Sequence, residues 1–132
     1  VEEFENLCLD AVARRRGRVI KTLGDSVLFV SETPAGAFEV ADEIIRQIVA
    51  TPMLPDVRIG LATGPVELRL GDVFGPAVNL AARMMTVARR NRVICDEQTA
   101  AGLPEDEFEI RVLPSRPIRG FGELAPIAVR RR

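Results

Sequence analysis

Two amphipathic helical segments bracket a tight β-hairpin at the start of this chain, and that order restricts the fold more than any other feature. From Val1 to Arg16 the apolar residues Val1, Phe4, Leu7, Cys8, Ala11 and Val12 recur at helical spacing, and Gly17 offers a stop. Arg18–Leu23 and Ser26–Val30 are extended β-branched and apolar runs joined by the turn residues Gly24-Asp25. Thr33 as N-cap with Pro34 behind it opens a second helix, whose stripe is Ala37, Phe38, Ala41, Ile44, Ile45 and Ile48. Two helices flanking a hairpin can each bury an apolar face only by lying on one side of a shared sheet.

Downstream, Val57–Ala62 and Val66–Leu70 read as a second hairpin around Gly64-Pro65, and Gly71–Gly75 reads as a loop into a third helix from Pro76 to Ala88. A short strand, Arg92–Cys95, a helical turn near Glu97–Leu103, and two or three strands between Phe108 and Val129 complete the order, with Arg130-Arg131-Arg132 as a solvated tail. The expected class is α+β, one domain over residues 1–132, with helices on one face of a mixed, mainly antiparallel sheet. One strand ahead of the first helix would complete a ferredoxin-like βαββαβ core, and this sequence contains none.

Composition narrows the chemistry. Histidine, tryptophan and tyrosine are absent, so Ser-His-Asp triads, Cys-His pairs and His-liganded zinc are excluded. Seventeen arginines accompany a single lysine, Lys21. A net charge of −1 argues against a nucleic-acid partner. Cys8 and Cys95 read as small buried apolar residues. Apolar runs fall short of the roughly 20 residues that span a bilayer. The expectation is a cytoplasmic domain, with membrane attachment only through segments outside this sequence.

Two segments could carry chemistry. Lys21-Thr22-Leu23-Gly24-Asp25 sets a cation and a carboxylate on either side of a hairpin turn, where an oxygen donor can reach a hard cation. Taken alone, the same residues describe an ordinary solvated turn. In Gly75-Pro76-Ala77-Val78-Asn79-Leu80-Ala81-Ala82-Arg83, Asn79 and Arg83 stand i, i+4 on one helix face. An amide and a planar guanidinium one turn apart can hold a sugar and a phosphoryl group at fixed separation.

Together, in this order, these segments resemble the catalytic domain of class III nucleotide cyclases, the adenylyl and guanylyl cyclase family. Arg58-Ile59-Gly60-Leu61-Ala62-Thr63-Gly64 is similar to that family's R-I-G-x-x-T-G strand, and Gly75–Arg83 to its G-x-A-V-N-x-A-A-R helix. The resemblance implies that Lys21 and Asp72 read the purine, and their identities imply ATP rather than GTP. It implies that Asn79 orients the ribose, Arg83 stabilises the transition state, and Arg119 contacts terminal phosphates where the family has a lysine. Asp25 matches the second of two metal-binding aspartates that hold two divalent ions, Mg²⁺ or Mn²⁺. The implied enzyme is an adenylate cyclase forming cyclic AMP in a homodimer with shared active sites.

One departure stands out. The family's first metal aspartate lies on a strand before the first helix, in a pattern like F-x-D-[IL]-x-G-[FS]-T, which this sequence lacks. The strand missing from the topology and the aspartate missing from the motif are the same gap. A non-catalytic cyclase-homology domain, binding nucleotide or dimerising to regulate a neighbour, is the alternative that this gap leaves open.

Overall fold

The computed structural model describes residues 2–23 and 25–132, so the helix start expected at Val1 and the turn glycine Gly24 lie outside the described residues. Helix α1 (Glu2–Arg14) carries Glu2, Glu3 and Glu5 in its first turn and Arg14 in its last, each complementing the helix dipole. It stops where Arg16 turns to φ 59° and the Gly17 amide donates to the Val12 carbonyl. Strands β1 (Arg18–Leu23) and β2 (Ser26–Val30) then pair antiparallel. Helix α2 (Pro34–Ala50) opens on the expected cap, the Gly36 amide donating to Thr33 Oγ1 at 3.0 Å.

The second half builds a four-stranded sheet in the order β3 (Arg58–Leu61), β6 (Arg92–Cys95), β10 (Ile127–Arg131), β7 (Phe108–Val112). Its one parallel pair is β3 with β6; β10 runs antiparallel to both its neighbours. Short helix α4 (Glu97–Ala101) follows β6, capped by Asp96.

Residues alternate between two cores. Ile59, Leu61, Val93 and Cys95 face the main cluster with Phe38, Val40, Ala41 and Ile44 of α2 and with Cys8, Ala11 and Val12 of α1. Val19, Val27 and Phe29 of the β1–β2 pair join that cluster, so α1 and α2 lie on one face across both sheets, as expected of the βαββαβ core. Ile94 points the other way, into a smaller cluster with Met84 and Ala88. Helix α3 (Pro76–Val87), which holds Met84, therefore covers the opposite face.

Three expectations need correction. Val57–Ala62 does not pair with Val66–Leu70; β3 pairs with β6, and β4 (Glu67–Arg69) pairs with β5 (Asp72–Phe74), inside the segment expected to be loop. The turn is Leu70-Gly71, with φ 52° and 74°, the double left-handed geometry that matches strand twist in a two-residue hairpin; Gly64-Pro65 cannot supply it because proline is fixed near −65°. Between Phe108 and the C-terminus there are four strands, since β8 (Arg116–Ile118) and β9 (Gly122–Leu124) form a hairpin of their own around Gly120 and Gly122, φ 88° and 72°. Nor is Arg130-Arg131-Arg132 a free tail: Arg130 pairs with Glu109, and Arg131 pairs with Glu39 over the edge-to-face rings of Phe38 and Phe108.

Cys8 and Cys95 are buried and unpaired, and burial pushes their thiols up to about 11 and about 12, which keeps them protonated and inert.

An ion-pair cluster fastens α1 to α2. Arg15 donates to Glu43, Gln47 donates to both Glu43 and Asp10, and Arg14 donates to Asp10, so both carboxyls titrate below their ordinary range, Asp10 first through Arg14 and then Gln47, Glu43 first through Gln47 and then Arg15. A folded-state depression means that the stabilisation is complete above the ordinary carboxylate range and lost as pH falls from that range through the lower folded-state value. Glu43→Gln should therefore cost about 0.5–1 kcal/mol in urea unfolding at pH 7 and nothing near pH 2.

Among the described glycines, the tightest surroundings are at Gly60. A Cβ there would stand 2.2 Å from both the Ala81 carbonyl oxygen and the Met85 amide nitrogen, both backbone atoms of α3. Gly60→Ala should lower stability by about 2–3 kcal/mol, read by chemical denaturation, because the helix backbone cannot yield as a side chain would.

Candidate active site

Lys21 sits where β1 breaks its alternation. Val19 opposes Phe29 and Lys21 opposes Leu28, so Ile20 is an extra residue, a β-bulge. Without it Lys21 would share the core face with Val19; with it, Lys21 turns away from the core. Its Nζ then donates to Asp72 Oδ2 at 3.0 Å, both side chains about one-third exposed. Asp72 opens β5, and its other oxygen accepts from the Val73 amide at 2.7 Å. The Lys21 hydrogen bond and then the Val73 amide hold the Asp72 carboxyl below its usual range. The bulge brings together two residues 51 positions apart in the chain.

From β5 the chain passes straight into α3 through Gly75, whose φ of 145° suits glycine, and where a Cβ would stand 2.8 Å from the Pro65 carbonyl oxygen. Asn79 and Arg83 follow on one face of α3. They line a wide surface groove of about 720 Å³ with Pro76, Ala82, Arg119, Gly120 and Phe121. Among the described residues, neither Arg83 nor Arg119 has a carboxylate within ion-pair distance. Two guanidiniums and an amide, beside the first turn of a helix, make a surface suited to a polyanion. Phe121 is a wall residue that spacing does not single out; the glycines on either side of it are its signal, since they build the β8–β9 turn.

Asp25 is apart from these groups, exposed at the β1–β2 turn and outside that groove. Its carboxylate is a hard oxygen donor, yet among the described residues no group of three His, Cys, Asp or Glu side chains could hold a metal ion. The described residues therefore do not make up a complete divalent-ion site.

The sequence pattern of the family described as the adenylate and guanylate cyclase catalytic domain matches residues 2–128. This chain belongs to that family. It is 35% identical over 127 residues, 96% of its length, to an adenylate cyclase of Glutamicibacter nicotianae, and 34% identical over its full length to an adenylate cyclase of Streptomyces coelicolor. It spans only 32% and 42% of those two proteins. Among solved structures, the catalytic core of a rhodopsin-guanylyl cyclase with converted specificity, in complex with ATPαS, superposes with a TM-score of 0.87 at 25% identity, covering 99% of this chain and 81% of that one. An adenylate/guanylate cyclase/hydrolase from Silicibacter pomeroyi gives 0.80 at 25% identity, over 95% and 79%. The cyclase fold is thus present, and no helix among the described residues is long and apolar enough to cross a membrane.

In this cyclase domain the Lys21–Asp72 contact is open to direct measurement. In Lys21→Ala the Asp72 carboxyl keeps only the Val73 amide, so its titration midpoint, followed by carboxyl carbon NMR, should rise toward the ordinary aspartate value. An unchanged midpoint would mean that the pair does not form.

Proposed function

We propose that this domain, in its native protein, converts ATP to 3′,5′-cyclic AMP and pyrophosphate. The observation that carries the reading is the contact of Lys21 with Asp72, a donor and an acceptor joined at 3.0 Å across β1 and β5. An ammonium donor complements adenine N1, and a carboxylate acceptor complements its 6-amino group, whereas guanine presents the opposite pattern at those edges. The 3′-hydroxyl gives its proton to water as its oxygen bonds to the α-phosphorus, the bond to the bridging oxygen breaks in line, and pyrophosphate leaves with its electron pair.

In this reading the residues of the chain position and neutralise. Asn79 fixes the ribose, Arg83 stands where charge develops at phosphorus, and Arg119 holds the terminal phosphates. Loss of the Arg83 guanidinium should lower the rate by about 10²–10³-fold. Family membership implies two divalent ions, Mg²⁺ or Mn²⁺, which supply charge neutralisation at the triphosphate; Asp25 is the residue of this chain that would contribute to them.

The site is proposed to form between two protomers, with Asp25 from one and Lys21, Asp72, Asn79 and Arg83 from the other. The β4–β5 hairpin supports a second protomer: Val66, Leu68, Leu70 and Phe74 are all exposed on or beside it, a patch that association would cover. An isologous pair carries two such sites.

The test uses the chain with its native upstream residues, assayed with ATP and Mn²⁺. Asp25→Ala should abolish cyclic AMP formation, and Arg83→Ala should lower it by about 10²–10³-fold. Mixing the two should restore about a quarter of the activity, because half of the dimers are mixed and each mixed dimer keeps one of two sites. Inactive mixtures would refute the shared site, and cyclic GMP as the main product of the unmutated chain would refute the purine assignment. The incomplete carboxylate set favours one other reading, a nucleotide-binding regulatory domain; ATP binding without turnover by the unmutated chain would establish it.

A further inference from the structure

We infer that Thr63 and Thr99 are positioning residues: they form a hydrogen-bond relay, anchored on Asp96, that fixes the chain leaving β3 and with it the base of the hairpin that carries Asp72. Among the described residues Thr99, in α4, is the one fully buried polar residue, 1% exposed. Its Oγ1 lies 2.7 Å from Thr63 Oγ1 and hydrogen-bonds Asp96 Oδ1, which also accepts from the Thr99 amide at 3.2 Å. The direction of the relay follows from counting protons. Each threonine hydroxyl has one to give, and a carboxylate has none. Thr99 therefore donates to Asp96, and Thr63 donates to Thr99. The Asp96 amide adds a second tie to the same stretch, donating to the Leu61 carbonyl at 3.3 Å.

What the relay holds is the chain just beyond β3. Gly64 and Pro65, which follow Thr63, lie against the start of α3. A Cβ on Gly64 would stand 3.3 Å from the Ala77 methyl, and one on Gly75 would stand 2.8 Å from the Pro65 carbonyl oxygen. Glu67 then opens β4, whose partner β5 opens with Asp72. Residues 63–66 are thus the footing of both the hairpin and the first turn of α3. The rest of α3 has a seat of its own, the backbone contact at Gly60 and the burial of Met84. Loosening the relay would therefore move Asp72 relative to Lys21 and leave Arg83 in place. Both threonines border a cavity of about 160 Å³ that β2 and β3 line, and neither borders the groove of Asn79, Arg83 and Arg119, so they act through other residues.

For its effect on turnover this inference rests on the proposed reaction; for its effect on geometry it does not. Thr63→Val keeps the side-chain shape and leaves the Asp96 cap of α4 intact, and Thr63→Ser keeps the hydroxyl. In the chain with its native upstream residues, assayed with ATP and Mn²⁺, Thr63→Val should raise KM for ATP roughly tenfold with kcat within about twofold, and Thr63→Ser should restore it. Loss of folded protein would do the reverse, lowering kcat at constant KM. Thr99→Val should give the same rise and the double variant no more, because all three break one relay. The Asp72 titration midpoint, read by carboxyl carbon NMR without nucleotide, should rise in Thr63→Val as expected of Lys21→Ala. An unmoved midpoint would overturn the inference, as would an unchanged KM in a chain that makes cyclic AMP. A raised midpoint in a chain that makes none would uphold the relay and refute the reaction instead.

Discussion

At Gly60 the backbone of α3 rests on the backbone of β3 with no side chain between them. That contact fixes the height of the helix above the sheet and presents Asn79 and Arg83 to the groove shared with Arg119. The same seating buries Met84 against Ile94 and Ile118, so the helix that carries the candidate chemistry is clamped by the smaller core. A bulkier residue at position 60 would lift the helix and move both side chains together. Groups that must meet a substrate within a fraction of an ångström gain from being mounted on such a rigid element.

A second device works at the other end of the site. The bulge at Ile20 adds one residue to β1 and reverses the facing of Lys21, changing a core-directed position into one that reaches Asp72. Asp72 in turn opens a strand that ends one residue before Gly75, so the Lys21–Asp72 pair and the α3 face are separated by a single tight connection. Backbone irregularities of one residue thus set the geometry of what would otherwise be separate surface side chains.

The two open edges of β2 and β3 give the fold an asymmetry. Its helical layer and both cores are formed, yet the sheet beneath is divided where a central strand would lie. Asp25 sits exposed at the turn leading into β2, apart from the cavity that β2 and β3 line.

Much of the fold was legible in local pattern. The stripes of α1 and α2, the Thr33–Pro34 cap and the first hairpin follow from side-chain periodicity and turn chemistry, which act over a few residues, and the order of elements already pointed to a strand missing ahead of α1. The motif around Asn79 and Arg83 was likewise visible, because i, i+4 spacing alone places two side chains on one helix face. Other features were decided only by tertiary structure. That β3 pairs with β6 rather than with Val66–Leu70 depends on which distant edge offers a partner. That Arg130 and Arg131 leave solvent depends on Glu109, Glu39 and two phenylalanine rings that the chain delivers from afar. The lone lysine stood out from composition, but its contact with Asp72 needed the bulge, since strand periodicity by itself would have turned Lys21 toward the core.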